Sequence, residues 1–202
     1  TCLDGLNDEI AKRSSDHNQM LDFLWNRTCI NCKLYGAPHL SSCVTFYDSI
    51  GINGRYSFGG RTTIMVDRMS GAVLRGMVVK TEYVRPGSAF AFSLRAVNLP
   101  NYAIGYLIQT MDYLNQGLFL VGRNKSGGFG QIGFQRLRLS LEGTSVSEGE
   151  CQPLDEYDSV VKTQLPKGEL SADSFFKAMS PFEEVFKNAK IAYPMLRPGR
   201  LD

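Results

Sequence analysis

The chain has 202 residues, 43% of them hydrophobic and 21% charged, with a net charge of +2. These totals suit one sizeable globular core with at most a small appended subdomain, and they exclude a low-complexity chain. No apolar run reaches the roughly eighteen residues that span a bilayer, so a soluble protein with no membrane partner is expected.

The charge is spread unevenly: −2 over residues 1–50, +8 over 51–140 and −4 over 141–202. A mainly arginine-bearing middle between two acidic ends suggests a face for a polyanion, because the guanidinium fork grips phosphate oxygens bidentately.

From Leu6 to about Asn26 the apolar spacing predicts a helix, with Leu21, Leu24 and Trp25 on the core face. A turn follows that carries Cys29 and Cys32, separated by two residues. Cys43 comes later, at the head of an alternating run that ends at Asp48 and predicts a strand. Two thiolates at this spacing can hold one Zn²⁺ from a tight knuckle, because tetrahedral coordination accepts sulfur ligands from adjacent turns of backbone. Cys2, Cys43 and His17 are the candidates to complete the set. A redox pair, a disulfide partner and buried thiols acting as small hydrophobes are the competing readings.

The first residue is Thr1 rather than Met, which implies processing, trimming or a longer parent polypeptide. A removed signal peptide, five cysteines and the sequons Asn26-Arg27-Thr28 and Asn124-Lys125-Ser126 would fit a secreted, disulfide-bonded binding module. The odd cysteine count and the short Cys29–Cys32 spacing weigh against that.

Residues 49–63 are rich in Gly, Asn and Ser and read as a mobile loop carrying Arg55 and Arg61. Ile64–Val66 leads into a turn, Asp67-Arg68-Met69-Ser70-Gly71, where Gly71 supplies the permissive backbone. Strands are predicted over Val73–Val84 and Ser88–Val97, joined by the turn pair Pro86-Gly87. Tyr102–Gln116 carries a helical stripe of Ile104, Leu107, Ile108, Met111 and Leu114, and Gly117 stops it. Leu118–Val121 reads as a short buried strand and Gln131–Leu141 as another. Residues 143–170 are polar and acidic and look like a long excursion. Ser180-Pro181-Phe182-Glu183 is a capping box that predicts a helix through Lys190.

Between the last two predicted strands, Gly122, Gly127, Gly128 and Gly130 frame Arg123, Asn124, Lys125 and Ser126. Glycines let the backbone approach a ligand and turn consecutive N–H groups toward an anion. The loop lacks the Gly-Lys-Ser/Thr ending of a Walker loop, and no helix follows it as in a dinucleotide fingerprint. A long hairpin loop is the plain alternative. Catalytic inventory is thin: His17 and His39 are the only histidines, and a capped turn and a strand end explain Asp67 and Asp48 as well as a carboxylate pair would. No catalytic residue is assigned.

Taken together, several stretches resemble the RAMP-type backbone subunits of type III CRISPR effector complexes. Cys29-Ile30-Asn31-Cys32-Lys33-Leu34-Tyr35-Gly36 resembles that family's Cys-x-x-Cys-Arg-Leu-Phe-Gly segment, and Val44–Asp48 the strand after it. Val66-Asp67-Arg68-Met69-Ser70-Gly71 is similar to its Ile-Asp-Arg-x-Thr-Gly turn. Pro86-Gly87 before Phe90 and Phe92, and the glycine loop 122–130, also fit.

The resemblance spans about residues 28–140. It implies an α+β, ferredoxin-like (RNA-recognition-type) core over residues 1–142 with a zinc knuckle and a thumb-like insertion, and a C-terminal extension over 143–202. It further implies structural zinc on Cys29 and Cys32, with Cys43 and an upstream Cys2 or His17 completing the set. By the same resemblance, Arg55, Arg61, Arg68 and residues Gly122, Arg123, Lys125, Ser126, Gly127, Gly128 and Gly130 would grip the phosphates of a guide (CRISPR) RNA. Target RNA and neighbouring RAMP subunits, or fused domains, would be the other partners.

Family members begin with a strand, a helix and an aspartate-bearing loop that cleaves target RNA. This sequence starts after that point, so the core would lack its first strand. An endoribonuclease activity would need an upstream segment. Gly127 stands where the family often has arginine.

Overall fold

A computed structural model describes residues 2–3, 7–143, 146–147, 149–162 and 168–191. The chain is mixed α+β with small antiparallel sheets. It divides into two compact units: residues 1–45 with 96–202, and residues 46–95.

In the larger unit, the expected N-terminal helix is two helices, α1 (Asn7–Arg13) and α2 (His17–Arg27); the predicted start at Leu6 lies outside the described residues. The break falls at Ser14–Asp16 because Asp16 turns extended and accepts from the backbone N–H groups of Asn18 and Gln19 at 3.0 and 3.2 Å, capping α2. Leu3, Ile10 and Leu24 form a small core beneath this pair.

The segment expected as a turn around the C-x-x-C pair is itself a short helix, α3 (Ile30–Tyr35), which Gly36 ends at φ 85°. Strand β1 (Val44–Phe46) follows. It pairs with β6 (Leu94–Ala96), so the expected strand 88–97 is two pieces with different partners.

α4 (Asn101–Asn115) appears one residue from its expected position, and α5 (Ala172–Asn188) packs along it. Phe175, Phe176, Met179 and Phe182 of α5 close a core with Ile108, Leu137, Cys151 and Val161. The capping-box expectation at Ser180 fails, because the helix has already begun nine residues earlier. Ser171 caps it by accepting from the Ser174 N–H at 3.4 Å, and Pro181 lies inside it. Burial of the α5 apolar face outweighs the one backbone hydrogen bond that proline forfeits.

Two further expected strands are irregular. Leu118, Phe119 and Val121 are exposed, Leu118 at 64%, and Leu120 is half-buried. Alternation holds over 136–141, where Leu137, Leu139 and Leu141 face the core; Phe134, out of phase with them, also packs there. Among the described residues only Leu137 finds a backbone partner, exchanging 2.8 Å hydrogen bonds with Leu170. Alternation oriented these side chains, but without a neighbouring chain no ladder could form. The short strands β7 (Val146–Ser147), β8 (Glu150–Cys151) and β9 (Val161–Lys162) make a three-stranded sheet where an excursion was expected. Parts of that segment, residues 144–145, 148 and 163–167, lie outside the described residues.

The unit 46–95 is built on a long antiparallel ribbon, β3 (Phe58–Val66) against β4 (Val73–Val84). The expected loop 49–63 is therefore partly strand: β2 (Ile50–Gly51) pairs with β5 (Phe90–Ala91), and β3 starts at Phe58. Gly59 and Gly60 signalled a loop, yet in the ribbon Gly59 makes room for the Tyr83 ring directly across from it.

Candidate metal centre and anion-binding segments

The sulfur atoms of Cys2, Cys29 and Cys32 all lie within 4.8 Å of one another. Backbone geometry brings this about. Cys29 is the residue just before α3, and Cys32 sits in its first turn, so the two thiols point from one helix start. The N-terminal segment brings Cys2 to the same place. All five cysteines are free thiols.

Burial works to raise the Cys29 thiol, but the N–H of Cys32, the thiols of Cys2 and Cys32 and the N–H of Asn31 outweigh it and lower its pKa. Cys2 moves the other way, pushed up to about 11, first by burial and then by the neighbouring sulfurs. One thiolate thus forms first and the others donate to it. Three sulfurs grouped this closely can bind a metal ion: a tetrahedral Zn²⁺ with bonds of about 2.3 Å holds its sulfurs about 4 Å apart.

Cys43 and His17, the other candidate ligands, do not belong to the group. Cys43 is nevertheless tied to the knuckle's far end, its N–H donating to the Leu34 carbonyl at 3.1 Å, and burial raises its thiol. His17 is the exposed first residue of α2.

A buried polar network braces α3 from behind. Lys33, next to Cys32, is 2% exposed, and its Nζ donates to the Tyr102 hydroxyl at 3.2 Å. It lies 3.9 Å from Asp155 Oδ2 and 4.5 Å from the centre of the Trp25 ring. That same Asp155 oxygen accepts from Tyr102 Oη at 2.8 Å and Trp25 Nε1 at 3.0 Å. Burial lowers the Lys33 pKa, with Asp155 and Glu156 opposing.

The neighbouring Asp158 accepts from the N–H groups of Asn101 and Tyr102 at 2.9 and 3.3 Å. It caps α4 in place of Pro100, which precedes the helix and has no side-chain oxygen. These acidic residues were missed in the sequence. Besides local bonds to the N–H groups of Tyr157 and of Leu154 and Ser159, their partners lie more than fifty positions away.

The basic residues divide between the units. Arg55, Arg61 and Arg68 lie in the unit 46–95, all exposed, with Arg68 in the turn that joins β3 to β4. Asp67 shapes that turn by accepting from the N–H of Met69 and Ser70 and the Ser70 hydroxyl, and the hydroxyl bond above all lowers its pKa. This role accounts for Asp67 without a pairing with Asp48.

Gly122, Arg123, Lys125, Ser126, Gly127 and Gly128 form an exposed loop in the other unit. Its neck is closed by the Val121 N–H donating to the Gly130 carbonyl at 2.8 Å. Gly130 has φ 97°, and a Cβ there would overlap the Val121 backbone. At the tip Asn124 and Gly128 are left-handed, flanking one short 3₁₀ turn, Lys125–Gly127.

Among the described residues no helix is long and apolar enough to cross a membrane. Compared with known proteins, the chain matches no family profile and no curated sequence.

Proposed function

We propose that this chain is a zinc-braced RNA-binding subunit of an RNA-guided complex of the type III CRISPR kind, holding guide RNA by its backbone beside target RNA. One observation carries the reading: residues 46–95 form a distinct unit with seven Arg/Lys against three Asp/Glu, and its long ribbon ends in an exposed turn bearing Arg68. The exposed Gly122–Gly130 loop, with Arg123 and Lys125, offers a second anion-binding segment.

The ferredoxin-like core belongs to the same proposal. The order α2, β1, β6, α4, with the unit 46–95 between the paired strands, supports this reading as the αββα middle of a βαββαβ pattern, with neither its first nor its last strand paired onto β1 and β6 among the described residues. In it, the inserted unit takes the place of the thumb. Zn²⁺ would be held by Cys2, Cys29 and Cys32 and would fix α3 against the core as a structural ion. Neighbouring subunits or fused domains would complete the assembly, in the cytoplasm.

Binding of the full chain to a single-stranded RNA, measured between about 50 and about 200 mM salt, tests the reading. Affinity should fall linearly on a log–log plot, by about 0.7 per phosphate contacted, with little dependence on RNA sequence. An affinity that ignores salt, or no binding at low salt, overturns it.

A further inference from the structure

Three aromatic rings adjoin on the unit 46–95: Tyr56 lies between Phe58 and Phe90, 6.0 Å from each ring centre. They are exposed to 45%, 63% and 38%. Apolar rings in contact with one another are normally buried, and a cluster left open on a small unit marks a surface that meets something.

The cluster is built rather than accidental. Gly51 pairs with Phe90, and a Cβ at Gly51 would come within 2.7 Å of the Tyr56 ring. The absent side chain is what lets the Tyr56 ring lie beside Phe90. The loop under the ring is pinned on both sides. The Arg55 N–H donates to the Ile52 carbonyl at 2.8 Å, the Ala89 N–H donates to the Arg55 carbonyl at 2.6 Å, and the Arg85 N–H donates to the Ser57 carbonyl at 2.9 Å. The exposed Arg55 and Arg85 are thus held next to the rings in sequence and by backbone pairing.

We infer that Tyr56, Phe58 and Phe90 form a base-stacking platform for single-stranded RNA, flanked by Arg55 and Arg85 for its phosphates; this rests on the RNA-binding reading above. Rings stack on any base, which suits a sequence-tolerant binder, and each stacked base is worth about 1–3 kcal/mol. Charge selects the occupant. Six of the seven basic residues of the unit are arginines against three acids, which suits a phosphate chain carrying bases better than an apolar protein face.

The test uses the full chain and two probes, a uridine strand of about ten nucleotides and the same strand made abasic. Tyr56→Ala should weaken uridine-strand binding about tenfold at unchanged salt slope, and leave abasic binding as in the parent. Tyr56→Trp should keep the affinity, and its added fluorescence should be quenched by the uridine strand but not by the abasic one. Parent-like uridine binding by Tyr56→Ala, equal losses for both strands, or no quenching overturns the platform while leaving RNA binding intact. A parent chain that binds neither strand overturns the functional reading with it. Polyglutamate binding that falls in Tyr56→Ala while uridine binding holds would assign the rings to an acidic protein, and also overturns the platform.

Discussion

Gly105 of α4 lies against the backbone of Phe182 in α5, so close that a Cβ on Gly105 would overlap the Phe182 carbonyl. The helices meet backbone to backbone there, and the buried Phe182 and Met179 side chains fill the space around the crossing. Gly105 also brings the α5 turn beside Pro181 into register, so the crossing point and the helix's weakest hydrogen bonding coincide.

Gly105→Ala should therefore destabilise the chain by about 1–3 kcal/mol, read as a lower urea midpoint. In an exposed helix the same change would stabilise by up to about 1 kcal/mol, so the sign alone decides whether the crossing is real. A raised midpoint would show that the helices stand further apart.

Metal content separates the cysteines. Cys29→Ser and Cys32→Ser should lose bound zinc, measured by elemental analysis of the purified chain, and Cys2→Ser should weaken its retention against a chelator. Cys43→Ser should keep it, because Cys43 lies outside the three-sulfur group. In the parent, a chelator should release three titratable thiols and lower the thermal midpoint. Full zinc in Cys29→Ser would remove the knuckle from consideration.

Asp155→Ala leaves Lys33 buried with its hydroxyl partner Tyr102 and without the carboxylate paired to it. Removing one member of a buried charge pair costs about 3–5 kcal/mol, so the denaturation midpoint should drop sharply. Lys33→Met, which removes the charge and keeps the length, should cost less when combined with Asp155→Leu than either change alone predicts. Additive losses would mean that the two side chains act independently.

Glu183 on α5 has its carboxyl raised by burial, with Asp112 adding to the shift and Lys187, 3.7 Å away, opposing it. A raised folded-state pKa means that folding favours the protonated acid. The stabilisation is complete below the unfolded value of about 4.3 and is lost as pH rises through the folded one. Glu183→Gln should thus gain stability at pH 7 by less than about 1 kcal/mol, with the gain vanishing near pH 4. A loss at pH 7 would show that the Lys187 pair outweighs burial.

Helix α4, strand β4 and the Asp67–Gly71 turn were legible because each depends on neighbours within a few residues: a 3.6-residue stripe, an apolar run, an Asp whose side chain reaches the amides two and three positions on. The C-x-x-C pair was legible for the same reason, since one helix start fixes both thiols. Cys2 could be proposed from flexibility alone. Only the folded chain places it beside Cys29 and Cys32 and leaves Cys43 aside.

What the sequence could not decide is what depends on distant partners. Alternation oriented Leu137 and Leu139 correctly, but whether residues 131–141 formed a ladder rested on distant backbone, and among the described residues Leu170 alone supplies it. The box at Ser180 had every local mark of a helix start, and the apolar face shared with α4 carried the helix through it. Asp155 and Asp158 lay unremarked in the polar stretch 143–170, and tertiary packing set them on Lys33, Trp25 and the opening turn of α4. Local preferences are worth tenths of a kcal/mol to about one, while burial and capping across the fold are worth several, so long-range packing prevailed at those places.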